Sequence, residues 1–382
     1  MTKLELPIYL DGHATTPLAP EAAAAMEPWW HSRAANPHSP HSRGLKAAVA
    51  VEGARAALAT LIGADPQEIV FTSGATEANN LVILGIAESA VRSGDARREM
   101  IVSAIEHKSV LSAAHSLAAR GFVIHVCPVT SEGLIDLEAF ARLISEKTLL
   151  VSLMGANNEI GTVQPVSQVL PLVRAAGAMI HVDMAQVVGK LPVDVSEYDF
   201  ASISAHKIYG PMGVGALFVS AAAQLRPAPM FYGGSQENGF RPGTLPTPLI
   251  VGFGAAAFTA QNMMRDDAEH GHLLTSQLEM SLRKRQVTFQ RTVLHSSLLP
   301  GSLSIRIINV NASQLIGRLY DTVSLSEGSA CSSGQITHSH VLQAIGLSES
   351  QMDQTIRIYC SRYNTAAEVD FCADAIAGAA RA

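Results

Sequence analysis

The sequence is poor in charged and aromatic residues and has no long hydrophobic run. Of its 382 residues, 16% are charged and 5% are aromatic. Every apolar stretch is interrupted before the roughly 18 residues that a membrane-spanning helix needs, and residues 1–10 lack the apolar segment of a signal peptide. No long run of lysine or arginine occurs and the net charge is −6, which argues against a nucleic-acid partner. These absences predict a cytoplasmic enzyme that does not bind membranes.

The four cysteines show no spacing typical of a metal site. Cys127 and Cys360 follow strand-like runs and Cys372 lies on an apolar helical segment, so we expect these three side chains to be buried. Cys331 differs because it lies within a run of small and polar residues, 328–334, that is typical of a loop. We therefore expect an exposed, mobile thiol at Cys331 and no bound metal.

What the sequence does contain is a regular alternation of apolar strand-like runs with helical segments. Seven runs fit strands: 68–71, 100–103, 122–126, 149–154, 178–182, 200–205 and 215–219. This alternation predicts an α/β fold with a mostly parallel sheet between helices. Ligands of such sheets bind at the carboxyl ends of the strands. Polar residues follow five of these ends and predict a single pocket, lined by Thr76, His107, Asn158, Asp183 and His206-Lys207.

The segment 200–213 contains the most informative of these residues. A lysine at the exit of a buried strand is unusual, because lysines are rarely buried. Desolvation shifts a lysine amine toward its neutral, nucleophilic form, which Schiff-base chemistry requires. Taken alone, the His206-Lys207 pair also fits a surface or capping lysine, so its assignment depends on the rest of the chain.

A second signal lies at 68–90, where a strand, the small-residue turn 72–75 and a helix follow one another. The first turn of such a helix exposes backbone N–H groups at the positive end of the helix dipole, which favours a bound anion. Thr76 adds a hydroxyl group at the start of the helix. An ordinary capped helix explains the same pattern equally well.

Length and composition predict two domains. A stretch rich in glycine and proline, 232–248, separates the alternating region from a long helical segment and a smaller α+β region. We predict a large domain over residues 16–248. A small α+β domain would be formed by residues 1–15 and 249–382, and it would carry Cys331.

Seven short motifs in a fixed order resemble those of the cysteine desulfurases, pyridoxal-phosphate enzymes of the class V aminotransferase family. They are ATTP at 14–17, TSGATE at 72–77, EHK at 106–108, NNEIG at 157–161, HVD with Gln186 at 181–186, SAHKIYGPMG at 204–213 and RPGTLP at 241–246. The resemblance covers residues 8–370 and implies the fold type I architecture, with a seven-stranded sheet. The segment 328–333 is similar to that of the group with a long mobile cysteine loop, which serves iron–sulfur cluster assembly.

The resemblance implies roles around the cofactor ring. Lys207 would hold pyridoxal 5'-phosphate covalently and later move the substrate Cα proton. Asp183 would pair with the pyridinium nitrogen and maintain the ring as an electron sink. His107 would stack on the ring and relay protons, while Gln186 and Asn158 would lie near its phenolic oxygen.

The resemblance also implies how the phosphate and the substrate are bound. Thr244 would reach the phosphate from the partner subunit, which implies a homodimer. Arg357 would hold the substrate carboxylate through its planar guanidinium group, near Asn158. The remaining phosphate contacts would come from Ala75, Thr76, Ser204 and His206.

Cys331 would accept the sulfur of L-cysteine, leaving L-alanine and a persulfide that a sulfur-accepting protein, either an iron–sulfur scaffold or a sulfur carrier, then takes. One alternative keeps the cofactor and changes the reaction, for example to that of a selenocysteine lyase. A second alternative is a non-catalytic paralogue that binds a partner. The loop thiol argues against the first, and the presence of Lys207, Asp183, His107 and Cys331 argues against the second.

Four features depart from the family pattern. Two of them, Met212 in place of a lysine and Pro242 in place of serine or alanine, remove no catalytic group. His13 follows Gly12 where an aromatic and a small polar residue are usual, and we expect it to fill space rather than to touch the substrate. The sequence ends at Ala382, whereas housekeeping members of the family carry a longer C-terminal tail that helps to dock the scaffold protein. This difference argues against that particular partnership.

Overall fold

A computed structural model describes residues 4–294, 297–327 and 338–381. The strands in these ranges are β1 (Ile8–Tyr9), β2 (Ile69–Thr72), β3 (Glu99–Ser103), β4 (Val123–Cys127), β5 (Thr148–Met154), β6 (Met179–Asp183), β7 (Phe200–Ser204), β8 (Gly215–Val219), β9 (Phe289–Arg291), β10 (Ser302–Ile307), β11 (Val323–Ser324), β12 (Ser326–Glu327) and β13 (Thr355–Tyr359). The helices are α1 (Pro20–Trp30), α2 (Ser42–Ile62), α3 (Ala75–Ser93), α4 (Lys108–Ser116), α5 (Leu137–Leu143), α6 (Val166–Ala175), α7 (Thr247–Lys284), α8 (Ala312–Leu319), α9 (His340–Ala344), α10 (Glu349–Met352) and α11 (Ala366–Arg381).

The central sheet has seven strands in the order β2-β8-β7-β6-β5-β3-β4. The five strands from β7 to β4 are parallel to one another, while β8 pairs antiparallel with both β7 and β2. The predicted α/β class and the mostly parallel seven-stranded sheet are confirmed. Parallel order places the carboxyl ends of β3, β5, β6 and β7 along one edge, where the sequence analysis expects the pocket.

Both faces of this sheet are buried except along the edge strand β4, which explains why the other strands are nearly continuous apolar runs. Successive residues of a strand alternate between the faces. On β3, Ile101 packs into the core on one face, whereas Met100 and Val102 pack into the core on the other. On β6, Ile180 and Met179 divide between the faces in the same way.

A second apolar core lies beside a four-stranded antiparallel sheet with the order β12-β13-β10-β9. Helix α7 connects the two regions: Phe253 packs in the core of the large sheet, and Leu278 packs in the second core. Residues Ile8 and Leu10 also belong to the second core. The predicted domain limits, 16–248 against 1–15 and 249–382, stay a prediction.

Three of the predicted cysteine positions agree with the structure, since Cys127, Cys360 and Cys372 are free thiols with buried side chains. Cys331 lies outside the described residues. Within the described ranges, the helices are all too short or too polar to cross a lipid bilayer.

Candidate active site

A cavity of about 670 Å³ opens at the carboxyl edge of the large sheet. All five polar sites predicted from the strand ends line it. Thr244, in contrast, is exposed and does not line the cavity of its own chain. The predicted site residues in the wall are Ala75, Thr76, His107, Asn158, Asp183, Gln186, Ser204, His206, Lys207 and Arg357.

Lys207 reaches the cavity from a short 3-10 turn, Ala205–Lys207, that follows the fully buried strand β7. Its Nζ atom donates to the carbonyl oxygens of His13 and Ala14, at 2.5 and 2.7 Å. The rigid strand and these two carbonyl groups together fix where the amine lies.

Asp183 is the last residue of strand β6, and both oxygens of its carboxylate accept hydrogen bonds. Oδ2 accepts from Asn79 Nδ2 at 2.7 Å, and Oδ1 accepts from the backbone N–H of Ala185 at 3.0 Å. The same Asn79 amide donates to Ser109 Oγ at 2.9 Å. A buried carboxylate held in this way suits a cationic partner in the cavity.

His107 precedes helix α4, and its Nδ1 accepts from the backbone N–H of Ser109 at 3.1 Å. Burial lowers the pKa of His107, although the charge of Asp183 opposes that effect. A neutral ring that accepts at Nδ1 carries its proton on Nε2. Through Ser109 and Asn79, His107 and Asp183 belong to one hydrogen-bond network.

The first turn of helix α3 forms another wall of the cavity. Gly74 precedes it with φ 152° and ψ 178°, a conformation that only glycine adopts readily. Ser204 and His206 line the cavity at the same end. Burial lowers the pKa of His206 to about 4, with help from the charges of Lys207 and Lys190. Free N–H groups at the helix dipole make this wall suitable for an anion.

Arg357 on β13 enters the cavity almost fully buried, at 3% exposure. Its Nη2 donates to Asp11 Oδ1 at 2.8 Å and its Nη1 donates to the Asn158 carbonyl oxygen at 3.1 Å. Its Nε has no hydrogen-bond partner within the described part of the chain. A guanidinium group fixed at two points keeps donors available for a carboxylate.

The model of the aminotransferase class-V family matches residues 8–371 of this chain. The chain belongs to that family. It is 42% identical to the cysteine desulfurase IscS of Rickettsia typhi over 379 residues, which is 98% of this chain and 92% of the relative. Among solved structures, a NifS-like protein superposes with a TM-score of 0.90 at 34% identity, covering 98% of this chain and 99% of that one. The structure described as SspA in complex with cysteine gives a TM-score of 0.81 at 35% identity, covering 94% of this chain and 100% of that one.

Class V aminotransferases and cysteine desulfurases are pyridoxal-phosphate enzymes, so the predicted family, fold and cofactor are confirmed. The residues of the cavity fit that cofactor. A lysine amine, a buried carboxylate and a helix N-terminus all line the cavity, and their chemistry suits the aldehyde, the ring nitrogen and the phosphate group. The cavity volume lies within the range of ordinary cofactor sites.

The sequence analysis missed several residues that this family member uses to build its site. Asn79 orients Asp183, and Asp11 orients Arg357. A single Asn or Asp carries no sequence signal for such a contact. Glu106 is fully buried; burial and the charge of Asp183 raise its pKa well above the usual range. Burial raises the pKa of Glu159 to about 7. Both acids lie within motifs of the family resemblance, which was the only signal available.

His13 is buried at 1% exposure and lines the cavity. Its Nδ1 lies 3.2 Å from Gln186 Oε1, and its Nε2 lies 2.8 Å from Ser302 Oγ. The ring packs edge-on against Tyr359, with 4.8 Å between the centroids. Both ring nitrogens therefore have partners within the protein. That His13 fills space and does not touch the substrate stays a prediction.

Proposed function

We propose that this chain is a pyridoxal-phosphate-dependent L-cysteine desulfurase that forms L-alanine and a persulfide on Cys331. The observation that carries the proposal is the convergence of Lys207, Asp183, His107 and Arg357 on one cavity. The relative from Rickettsia typhi is named for this activity, and one structural neighbour is described in complex with cysteine.

In this proposal, five sets of groups in the wall would hold the cofactor. Lys207 would bind it covalently, Asp183 would pair with its ring nitrogen and His107 would stack on its ring. Gln186 and Asn158 would lie near its phenolic oxygen. The phosphate would be bound by Ala75, Thr76, Ser204 and His206. Bound pyridoxal phosphate supplies an electron sink for the pair left when the substrate Cα–H bond breaks.

The chain itself binds the substrate and moves its protons. Arg357 holds the substrate carboxylate through two N–H donors, while Asp11 and the Asn158 carbonyl fix the guanidinium plane. Lys207 Nζ, freed when the substrate amine takes its place on the cofactor, would accept the proton from Cα. His107, neutral with its proton on Nε2, relays a proton to or from the substrate.

Sulfur transfer requires Cys331, and its assignment rests on the sequence. The Cys331 thiolate attacks the substrate sulfur, so that an S–S bond forms and the carbon–sulfur bond breaks. The substrate Cβ takes up a proton, and the product is released as L-alanine. A sulfur-accepting protein, an iron–sulfur scaffold or a sulfur carrier, then removes the outer sulfur. We further infer a cytoplasmic homodimer in which Thr244 of each subunit completes the phosphate site of the other.

The test is a visible spectrum of the purified protein, followed by addition of L-cysteine and dithiothreitol and measurement of alanine and sulfide. A yellow protein that releases alanine and sulfide in equal amounts supports the proposal. Pyruvate without equivalent alanine would instead indicate a β-elimination enzyme.

The variant Cys331→Ala separates cofactor binding from sulfur transfer. We expect it to keep the visible band and to lose sulfide release, by about a hundredfold or more, because no other group replaces the nucleophile. Cys372→Ala, at a buried thiol remote from the cavity lining, is the matched control. Full sulfide release by Cys331→Ala would contradict the persulfide assignment.

A further inference from the structure

Lys190 is a buried lysine that the proposed function does not use. It lies in the turn after β6 and is 6% exposed. Its Nζ donates to Gln186 Oε1 at 2.9 Å and lies 5.0 Å from the centroid of the Tyr359 ring. Burial lowers the pKa of Lys190 to about 7, and the charge of Lys207 contributes. A buried amine is costly to charge, so this position calls for an explanation.

The groups that face Lys190 do not neutralise it. His13 approaches from the loop after β1, and Lys207 approaches from the turn after β7. A small cavity beside Lys190 is also lined by Tyr209, Asp267, Tyr359 and Arg362. The one carboxylate among them, Asp267, is paired with Arg362 at 2.5 Å. Over the ranges that the structure describes, Lys190 makes no ion pair with an acid.

The Lys190 amine fixes the orientation of the Gln186 amide. Its Nζ donates to Oε1, so the amide oxygen faces Lys190. His13 Nδ1 lies 3.2 Å from the same oxygen. The opposite end of the amide, Nε2, is thereby turned away from Lys190 and donates to the His13 carbonyl oxygen at 3.0 Å. Because Gln186 lines the cavity, this orientation determines that it offers a donor there.

We propose that Lys190 is a positioning residue of the active site, which holds and polarises the Gln186 amide so that its N–H group meets an anionic oxygen of the bound cofactor. The inference rests on the proposed function, since it takes Gln186 to lie near the phenolic oxygen. Lys190 acts through Gln186 and does not itself touch the cofactor. The hydrogen bond that Lys190 donates strengthens the amide donor, because aligned hydrogen bonds polarise one another in a buried site.

The test is a pH titration of the visible band in the cofactor-loaded wild type, Lys190→Met, Gln186→Leu and the double variant. Lys190→Met should move the titration midpoint to higher pH by roughly one unit, because the form with an anionic oxygen loses stabilisation. In the Gln186→Leu background the same substitution should leave the midpoint unchanged, since the relay is already absent. Equal shifts in both backgrounds, or no shift in either, would overturn the inference.

Two controls complete the design. Lys147→Met makes the same change at an exposed lysine before β5 and should not move the midpoint. Lys190→Leu, which also removes the donor to Gln186, carries the comparison if the methionine variant does not fold. Alanine formation by the wild type is measured in parallel. A coloured wild type without desulfurase activity would refute the proposed function alone, whereas an active wild type with an unshifted Lys190→Met would refute this inference alone.

Discussion

At the residue scale, the Lys207 amine is the group on which the cofactor assignment depends. It is held against the carbonyl oxygens of His13 and Ala14 at the end of a rigid strand. This arrangement gives the Lys207 amine a fixed position in the cavity wall, which is the condition for both covalent binding and proton transfer.

We therefore predict that Lys207→Ala loses the visible band of the covalently bound cofactor. Alanine formation should fall by about a hundredfold or more, because the variant also lacks the base for the Cα proton. Absorption spectra and alanine assays measure the two effects, with Lys147→Ala as the exposed control. An unchanged spectrum in Lys207→Ala would rule out the assignment.

At the element scale, strand β6 contains a histidine that the sequence analysis treated only as part of a motif. His181 lies between two serines of neighbouring strands, with Ser152 Oγ at 2.8 Å from Nδ1 and Ser202 Oγ at 2.9 Å from Nε2. Burial lowers the pKa of His181 to about 4, despite the opposing charge of Asp183. The ring is therefore neutral in the folded protein at neutral pH.

This arrangement predicts a pH-dependent stability. Between pH 6.5 and about 4, the unfolded chain binds a proton at His181 that the folded chain does not, so stability falls as the pH falls through this window. In His181→Gln, the free energy of unfolding should fall by about 3 kcal/mol less over this pH window than it does in the wild type. Urea unfolding of the apo-enzyme at several pH values measures it, with the exposed His115→Gln as control. Parallel pH profiles of wild type and His181→Gln would disprove the assignment.

A buried ion pair anchors the loop that precedes Thr244. Arg55 on α2 meets Glu237 at 2.7 Å, with side chains that are 10% and 2% exposed. Glu237 Oε2 also accepts from the backbone N–H of Phe71 at 2.6 Å, and Arg55 Nη1 donates to the Ile69 carbonyl oxygen at 2.6 Å. The pair thus ties the loop to strand β2.

Removing Arg55 leaves the buried Glu237 carboxylate without its cation, whereas removing Glu237 leaves Arg55 paired only with the exposed Glu52, at 3.1 Å. We expect Arg55→Met and Glu237→Leu each to destabilise the protein by roughly 3 kcal/mol. The double variant should lose clearly less than the sum, because it buries no lone charge. Urea unfolding of all four proteins gives the coupling energy. Additive losses would show that the pair is not a unit.

At the scale of the whole molecule, the position of Thr244 bears on assembly. Thr244 is exposed and lies outside the cavity of its own chain, although the family resemblance assigns it to the phosphate. If it serves the partner's site, a monomer holds an incomplete phosphate site. The homodimer and the phosphate contact therefore form one testable unit.

We predict that sedimentation gives twice the chain mass of 40.3 kDa. Thr244→Ala should weaken binding of pyridoxal phosphate to the apo-enzyme by about tenfold, the worth of one hydrogen bond to a charged group. Thr247→Ala, at a buried threonine that does not line the cavity, is the control. A monomeric wild type, together with unimpaired binding of pyridoxal phosphate by Thr244→Ala, would contradict the homodimer with a shared phosphate site.

The sequence by itself determined the sheet and the position of the pocket. The seven apolar runs mark the strands of this sheet. The helix predicted after the turn 72–75 also forms, and α3 begins at Ala75. Because parallel strands share an edge, a polar residue after each run is enough to predict that Thr76, His107, Asn158 and Asp183 meet.

Only the tertiary structure decided how those residues are held. Asn79 and Asp183 are 104 positions apart, Arg55 and Glu237 are 182 apart, and His13 and Ser302 are 289 apart. The Lys190 contact with Gln186 spans only four positions, yet its consequence for function depends on the cavity that Gln186 lines. No periodicity encodes such contacts, because they arise when elements from distant parts of the chain pack and exclude water. Burial then sets the charge states of Glu106, His181 and Lys190, which a linear sequence leaves at their ordinary values.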